Sequence, residues 1–108
     1  LFRSTPALPK EAPIAVYRTL QEALTNAARH ANTKKLKVLA GFDEQAHEFI
    51  LIVENDGVAS SAAVNPSLGL TGIRERMAIL QGHVVWAIEE DRFVLRCHIP
   101  VVEVNHAA

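Results

Sequence analysis

The longest regular pattern of apolar and polar positions lies in the first third of the chain. Apolar residues recur there at the spacing i, i+4, i+7, i+8, which places side chains along one side of an α-helix. They are Val16, Leu20, Ala23, Leu24, Ala27 and Ala31. The pattern predicts a helix that begins between residues 13 and 15 and turns this ridge toward a core.

The same helix carries a polar stripe on roughly the opposite side. It consists of Glu22, Asn26, Arg29 and His30. At helical spacing, a carboxylate, an amide and basic groups follow one another over about two turns. An amide oxygen together with substrate phosphates suits magnesium, which prefers oxygen ligands and keeps several waters. The polar side of any amphipathic helix shows similar residues to water, so the stripe alone fits both interpretations.

Alternating apolar positions predict strands in the rest of the chain. The first strand has one expected buried face, formed by Leu36, Val38, Ala40 and Phe42. The second, 49–53, is apolar on both sides, so we expect it to be central in an antiparallel pair. A short helix at 73–81, which we expect Gly82 to stop, precedes two further strands at 84–89 and 93–99.

The order helix, hairpin, helix, hairpin predicts an α+β fold. We expect a two-layer sandwich with helices on one face of a mixed, mainly antiparallel sheet. The chain has 108 residues, of which 49% are hydrophobic, and this favours a single domain over 1–108. Segment 1–12 contains Pro6 and Pro9 and is expected to be an extended or turning approach, with 101–108 a peripheral, partly disordered tail.

Charge and composition argue against several classes of function. The net charge is −1 at pH 7, which argues against a nucleic-acid partner and against direct contact with a membrane. No apolar run approaches ~18 residues, the length that a spanning helix needs. The start lacks a signal peptide and an initiator Met, so we expect a fragment of a longer protein. Cys97 is the single cysteine, which favours a small packed residue in a reducing compartment.

Glycines border two turns that carry candidate chemistry. Asn55, Asp56 and Gly57 end the second strand, and 58–68 is a loop of small residues without periodicity. The entry to the short helix is formed by Gly69, Leu70, Thr71 and Gly72. The first N–H groups of a helix have no acceptor within it and lie at its positive end, which favours anions. Because glycines are common before helices, this feature is weak by itself.

Taken in order, the polar stripe, the strand end 55–57, the loop and the glycine-bordered helix start resemble the ATP-binding catalytic domain of two-component sensor histidine kinases. That domain belongs to the GHKL superfamily, which gyrase and mismatch-repair ATPases share. The runs from Tyr17 to Ala31 and from Gly69 to Met77 are similar to the nitrate-sensor and hexose-phosphate-sensor subfamily. The resemblance covers nearly the whole chain and implies the Bergerat, or GHKL ATPase, fold.

The resemblance also implies a site, with ATP and Mg²⁺ as cofactors. Glu22 would be the catalytic residue that polarises the attacking histidine or water, and Asn26 would ligate magnesium. The remaining nucleotide-binding positions would be Arg29 and His30 near the phosphates, Asn55, Asp56 and Gly57 at the adenine, and the backbone of Gly69, Leu70, Thr71 and Gly72 at the phosphates. Loop 58–68 would be the lid over the nucleotide.

Partners and location follow from the same resemblance. The chain would present Mg-ATP for phosphoryl transfer to a histidine on a separate helical dimerisation domain of its parent kinase. A response regulator would act downstream. The expected location is the cytoplasm, as part of a parent protein that an anchor could hold at the inner membrane. We do not expect productive histidine phosphorylation by the chain alone, because the acceptor lies on the other domain.

Four departures from the family pattern keep other functions open. Asn55 stands where the first G box has Asp, and Ala59 replaces its second glycine. Ser67 stands where a glycine often begins the second G box, and the family's Gly-Thr is absent at 91–93. The alternative is a degenerate, non-catalytic interaction module of the same fold that binds nucleotide weakly or not at all. An anti-sigma-type serine kinase fits less well, and the histidines show no zinc-ligand spacing with Cys97.

Overall fold

The structure is a computed structural model that describes residues 2–30, 32–58 and 69–107. Two helices, α1 (Ala12–His30) and α2 (Leu70–Ile79), form one layer. The other layer is a four-stranded sheet of β2 (Leu36–Asp43), β3 (Glu48–Asn55), β4 (His83–Glu89) and β5 (Arg92–Pro100). A separate two-stranded sheet pairs β1 (Phe2–Ala7) with β6 (Val102–Ala107). The predicted α+β, two-layer architecture is confirmed.

The order of strands in the larger sheet is β2-β3-β5-β4, so β3 is central as its apolar pattern predicts. Every described strand pair is antiparallel, and the sheet is therefore not mixed within the described residues. The β4–β5 hairpin closes with Glu89 opposite Arg92, which leaves a two-residue turn. Among residues 2–30, 32–58 and 69–107, neither helix combines the length and apolarity needed to cross a bilayer.

The core lies between the helices and the inner face of the sheet. α2 contributes its periodic apolar positions, α1 contributes small residues, and the two central strands contribute alternate side chains. Its most buried members include Ala12, Leu51, Ile73, Met77, Leu95, Cys97 and Ile99. Cys97 is packed as expected, and burial raises the pKa of its thiol to about 12. The thiol is therefore protonated at neutral pH and is a poor nucleophile.

The prediction of a buried face on β2 is wrong. Leu36, Val38 and Phe42 lie on the inner side of the sheet, in register with β3, yet each side chain is 41–49% exposed. β2 is an edge strand, and α1 packs over β3 instead of over β2. Alternation correctly predicted the strand and the face of each residue, but burial depends on what lies above that face.

The apolar ridge of α1 divides in the structure. Ala23 and Ala27 are buried and Leu20 is half-buried, whereas Leu24 is 47% exposed. The small side chains let the helix lie close to the sheet, and Leu24 falls beside that contact line. Leu24 was predicted to face the core, and this prediction is wrong because the ridge is wider than the part of the sheet that α1 covers.

Three further expectations differ from the structure at chain termini and helix ends. The tail forms strand β6 in full register with β1, whereas partial disorder was expected. Helix α2 begins at Leu70 and ends at Ile79, earlier at both ends than predicted. The left-handed residue that closes it is Gln81, with φ 60°, and not the predicted Gly82. The N–H of Gly82 then donates to the Met77 carbonyl over 2.8 Å, which completes the helix end.

Candidate functional site

Two residues of the polar stripe of α1, Glu22 and Asn26, face α2. Glu22 and Asn26 lie one turn apart, on the flank of α1 next to the buried Ala23 and Ala27. Glu22 meets Arg76 of α2, and Asn26 lines a cavity together with Leu70 at the start of α2. The flank is therefore part of an interhelical cleft, and two of the predicted site residues share it.

Glu22 and Arg76 form an ion pair across this cleft. Arg76 Nη2 donates to Glu22 Oε1 over 3.0 Å, and the side chains are 23% and 32% exposed respectively. The other oxygen, Glu22 Oε2, is buried and has no hydrogen-bond partner, and Arg76 Nη1 is in the same state. An unpaired buried carboxylate oxygen costs free energy unless a donor or cation reaches it. These two atoms mark where a ligand with both a cationic and an anionic part would be stabilised.

Gly69 allows the Glu22 carboxylate to approach the start of α2, whereas Gly72 would tolerate a Cβ. Gly69 is the N-cap residue with φ 72°, and a Cβ there would collide with the carboxylate of Glu22. A Cβ at Gly72 would lie 3.8 Å from Glu22 Oε1 and 3.5 Å from Arg76 Nη2. Leu70 turns its side chain into the core, whereas Thr71 is exposed. The predicted anion-binding turn therefore stands against the predicted catalytic carboxylate.

A small cavity lies beneath this turn. It is lined by Ala23, Asn26, Val53, Asn55, Leu70, Ile73, Phe93 and Leu95. Its volume is about 10 Å³, which is close to the space that one water molecule requires. The lining is apolar apart from two amides, Asn26 and Asn55. The structure thus brings the predicted magnesium ligand and the predicted adenine-reading residue to one cavity.

Asn55 is held by the protein itself. Its side chain is buried, with 6% exposed, and its amide donates to Thr33 Oγ1 over 3.4 Å and to the Asp56 carbonyl over 3.3 Å. Thr33 Oγ1 in turn lies 3.1 Å from the Ala27 carbonyl. Asn55 therefore joins the end of β3 to the end of α1, which is a structural task in addition to any role toward a ligand.

Asp56 and Gly57 lie on the other side of the strand end. Asp56 Oδ1 accepts the N–H groups of Lys34 and Lys35 over 2.8 and 2.9 Å, and these bonds lower the pKa of Asp56 below its usual 3.8. Gly57 has φ 78°, and a Cβ there would collide with the backbone of Asn32. Both residues fix the connection between α1 and β2, and their contacts are with that connection.

The remaining predicted residues are less informative. Arg29 is exposed, and His30 closes α1, its side chain lying outside the described residues. Of the predicted lid 58–68, the structure describes Val58, whose N–H donates to the Asp91 carbonyl over 2.9 Å. Ala59 and Ser67, two of the departures from the family pattern, also lie outside the described residues.

Sequence reasoning missed two residues of the site, Arg76 and Thr33. Arg76 lies one helical turn after Gly72. Its positive charge and this spacing could have indicated that it lies near the start of α2 and the ligand predicted there. The pattern of α2 places Arg74 and Arg76 on opposite flanks, and only the position of α1 shows which one meets Glu22. Thr33 gave no signal, because a threonine after a helix is ordinary.

Magnesium chemistry is compatible with the donors of this cleft. Among the described residues, no group of three or more His, Cys, Asp or Glu side chains could hold a metal ion. Magnesium does not need such a group, because one or two protein oxygens plus phosphates and waters satisfy it. Asn26 and the buried Glu22 Oε2 are oxygen-bearing groups that the structure places here, with Asn55 across the same cavity.

Comparisons with known proteins give relatives of one kind. DegS of Brevibacillus brevis, a signal transduction histidine-protein kinase/phosphatase, is 32% identical over 79 residues, which are 71% of this chain and 20% of DegS. UhpB of Salmonella typhimurium, of the same description, is 34% identical over 77 residues, 70% of this chain and 15% of UhpB. The sensor histidine kinase MctS of Rhizobium johnstonii is 34% identical over 72% of this chain and 18% of MctS.

The fold has a solved counterpart as well. The histidine kinase AdeS of Acinetobacter baumannii matches 81% of this chain and 46% of its own with a TM-score of 0.67 at 18% sequence identity. No family model matches the chain. The chain spans a fifth or less of the length of the three curated relatives described above. UhpB and DegS agree with the subfamily that the sequence resembles, and the chain belongs to the sensor histidine kinase family.

Proposed function

We propose that the chain is the ATP-binding catalytic part of a sensor histidine kinase, which presents Mg-ATP to a histidine on a separate helical domain. One observation carries the proposal: Glu22, Asn26 and the first turn of α2 meet in a single cleft. Glu22 Oε2 and Arg76 Nη1 are buried there without partners. A phosphate with a bound cation is a ligand that would satisfy both atoms.

Each group of the cleft has a task in this proposal. The first N–H groups of α2 bind phosphate oxygens at the positive end of the helix. Asn26 holds magnesium, which would neutralise charge on the phosphates. Glu22 orients the attacking group, and Arg76 fixes the Glu22 carboxylate through their 3.0 Å contact. Transfer then depends on positioning and electrostatic stabilisation, as expected for phosphoryl chemistry.

Nucleotide entry requires the cleft to open. The cavity between Asn26 and Asn55 measures about 10 Å³, and adenine needs far more space. Because β3 is central and rigidly paired, α2 is the wall that would move relative to α1. The Glu22–Arg76 pair joins these two helices. Nucleotide binding and the geometry of the pair should therefore be coupled.

Titration of the chain with ATP, with and without magnesium, tests the proposal. Asn26→Ala should remove most of the magnesium-dependent gain in affinity, roughly tenfold, at nearly unchanged thermal stability. Thr25→Ala is the matched control, because Thr25 is its exposed neighbour on α1. If wild type and both variants bind ATP equally in the presence and absence of magnesium, the role of Asn26 is wrong. If none of them binds ATP, the ATP-binding function itself is wrong.

The degenerate interaction module is the second candidate, and the hydrogen bonds of Asn55 favour it. In the kinase proposal, Asn55→Asp restores the charged acceptor for the adenine amine and tightens ATP binding several-fold, by about 1 kcal/mol. The structure adds a cost, because a carboxylate cannot donate to the Asp56 carbonyl. In the module, Asn55→Asp lowers stability and leaves nucleotide binding unchanged, which isothermal titration and thermal unfolding together distinguish.

The proposed partners are tested by adding the acceptor domain separately. The chain alone with Mg-ATP should give no phosphohistidine, since the acceptor is on the helical domain of the parent protein. Addition of that domain in trans should give labelled histidine on the added domain, and a response regulator should then remove the label. Phosphohistidine on this chain, without the acceptor domain, would contradict the proposal that this chain binds ATP and the other domain carries the acceptor histidine.

A further inference from the structure

Strand β2 is an open edge of the four-stranded sheet. It pairs with β3 on one side, and no strand of the part of the chain that the structure describes pairs with its other side. The strand is eight residues long, and its hydrophobic side chains are 41–49% exposed. An exposed, long and apolar edge offers unpaired backbone N–H and C=O groups to another strand.

Further exposed apolar side chains lie on α1, the helix that packs over the neighbouring strand β3. Val38 and Phe42 lie on the inner side of β2. Leu24 and Tyr17 lie on the flank of α1 opposite Glu22, and Tyr17 is 61% exposed. We name these four residues, together with Leu36, the β2 surface. A group of exposed apolar side chains of this kind is typical of a protein interface.

The other edge of the sheet is different. α2 packs on β4, and Arg74 lies over the ring of Trp86, 4.8 Å from its centroid. Val84, Trp86 and Ile88 on the inner side of β4 are each half-buried. Within the four-stranded sheet, the exposed apolar inner face is therefore particular to β2, and β4 provides an internal control for any experiment on it.

Charge along the β2 edge changes sign from one end to the other. Lys34, Lys35 and Lys37 lie at its beginning, and Asp43 and Glu44 lie at its end. In an antiparallel pair of two such edges, the basic end of each strand lies beside the acidic end of the other. In a parallel pair, like charges would meet, which is destabilising.

One register satisfies charge and apolar contact together. If Ala40 lies opposite Ala40 of a second copy, Lys37 lies opposite Asp43 of that copy and Val38 lies opposite its Phe42. Lys37 and Asp43 are on the outer face, and Val38 and Phe42 are on the inner face, so each pair shares a side of the sheet. Such cross-strand pairs of opposite charge and of apolar side chains stabilise antiparallel sheets.

We propose that β2 pairs antiparallel with β2 of a second copy of this chain, so that two four-stranded sheets form one continuous sheet across a two-fold axis. A second copy satisfies the backbone edge, the exposed apolar side chains and the charge gradient at once. A docked helix would cover the apolar side chains alone. The proposal does not depend on nucleotide, and it stands or falls separately from the proposed kinase function.

Sedimentation of the nucleotide-free chain from about 1 μM to 1 mM tests the association, which should be concentration-dependent and in this range. Val38→Lys should weaken dimerisation at least roughly tenfold, because it places a cation opposite Phe42 in the interface. Val85→Lys is the control, since Val85 is 48% exposed on β4 and Val38 is 44% exposed on β2. A chain that stays monomeric throughout, or equal effects of both variants, overturns the proposal.

A charge-mixing experiment then tests the register and orientation. Lys34→Glu/Lys35→Glu makes the edge acidic at both ends, and Glu44→Lys/Gln45→Lys makes it basic at both ends. Each variant alone should dimerise more weakly than wild type, and an equimolar mixture should form the mixed dimer, visible by native mass spectrometry. Far-ultraviolet circular dichroism confirms that each variant is folded. Mixed and single dimers in statistical proportion would overturn the charge pairing, and single variants that dimerise as strongly as wild type would overturn the antiparallel orientation.

Discussion

The two flanks of α1 contradict the simple rule that apolar residues are buried and polar residues exposed. On one flank Glu22 and Asn26 are half-buried against α2 and the small cavity. On the other flank Leu24 and Tyr17 are exposed beside β2. The difference arises from what the chain places opposite each flank: α2 covers one, and the edge of the sheet lies beside the other.

The comparison separates two kinds of functional surface. Holding the charged groups of the polar flank partly out of water costs folding free energy. A ligand that can pair with these groups is therefore favoured. The apolar flank leaves hydrophobic area in water, which favours a macromolecular partner. In the two proposals, each flank meets a partner from outside the chain: a charged ligand on the polar side and a second copy on the apolar side.

The largest expected difference is between neighbouring residues at the boundary of the two flanks. Ala23→Asp should destabilise the fold by roughly 3 kcal/mol or more, because a charge would be buried against the core without a partner. Leu24→Asp should change the stability of the monomer by less than about 0.5 kcal/mol, since Leu24 is half exposed. Urea unfolding of both variants at low protein concentration measures this. Similar losses for both would mean that the apolar flank is packed.

The ion pair on the polar flank should give the next largest effect. Arg76→Met leaves the partly buried Glu22 carboxylate without its donor, at a cost of about 1–3 kcal/mol. Arg74→Met is the control on the same helix and removes the contact with Trp86, worth about 0.5–1 kcal/mol. Glu22→Gln combined with Arg76→Met should recover part of the loss. The absence of recovery in this thermal-unfolding cycle would show that the pair is not coupled.

A pH dependence distinguishes Asp56, the acidic residue after β3 that holds the connection between α1 and β2. The pKa of Asp56 is lowered in the fold, chiefly by the N–H groups of Lys35 and Lys34, so its contribution to stability is present above 3.8 and lost as pH falls through the lower folded value. Asp56→Asn should therefore be less stable than wild type at pH 6, with the difference shrinking below pH ~3.8. Urea unfolding across this range is the measurement, and a difference constant with pH would contradict it.

The smallest effect on stability is expected on the apolar flank. Tyr17→Ser loses a hydrogen bond with Gln21 of 3.2 Å at an exposed site and should shift unfolding by less than about 0.5 kcal/mol. The same variant should weaken self-association if the apolar flank contributes to the interface. A stability change without any change in sedimentation would assign Tyr17 to the fold alone.

The sequence predicted the two-layer architecture because it follows from local patterns. Periodicity located both helices and the strands β2 to β5, and the spacing of Glu22 and Asn26 correctly placed them on one flank, whereas β1 and β6 were not predicted. Gly69 was predicted as the entry to α2, and its positive φ and its contact with Glu22 give a physical reason for that glycine. What these residues bind stays a prediction.

The errors have a common physical origin. The exposure of Leu24 and of the inner side of β2 depends on where α1 lies over the sheet, which is a property of tertiary packing. The Arg76 contact likewise depends on which flank of α2 meets α1. The hydrogen bonds of Asn55 involve Thr33, 22 residues away, which no local pattern contains. Local patterns predicted the secondary-structure elements. The positions of these elements relative to one another determined the exposure and the contacts of the residues named above.

The paired ends of the chain have a mechanical consequence. Phe2 lies opposite Ala107 and Ala7 opposite Val102, so a tension applied between the two ends pulls β1 and β6 apart from one end. Their hydrogen bonds would then break one after another, as in unzipping, which needs less force than shearing a whole strand pair at once. The pair of strands β1 and β6 would open first, while the four-stranded sheet and the interhelical cleft bear none of the applied tension.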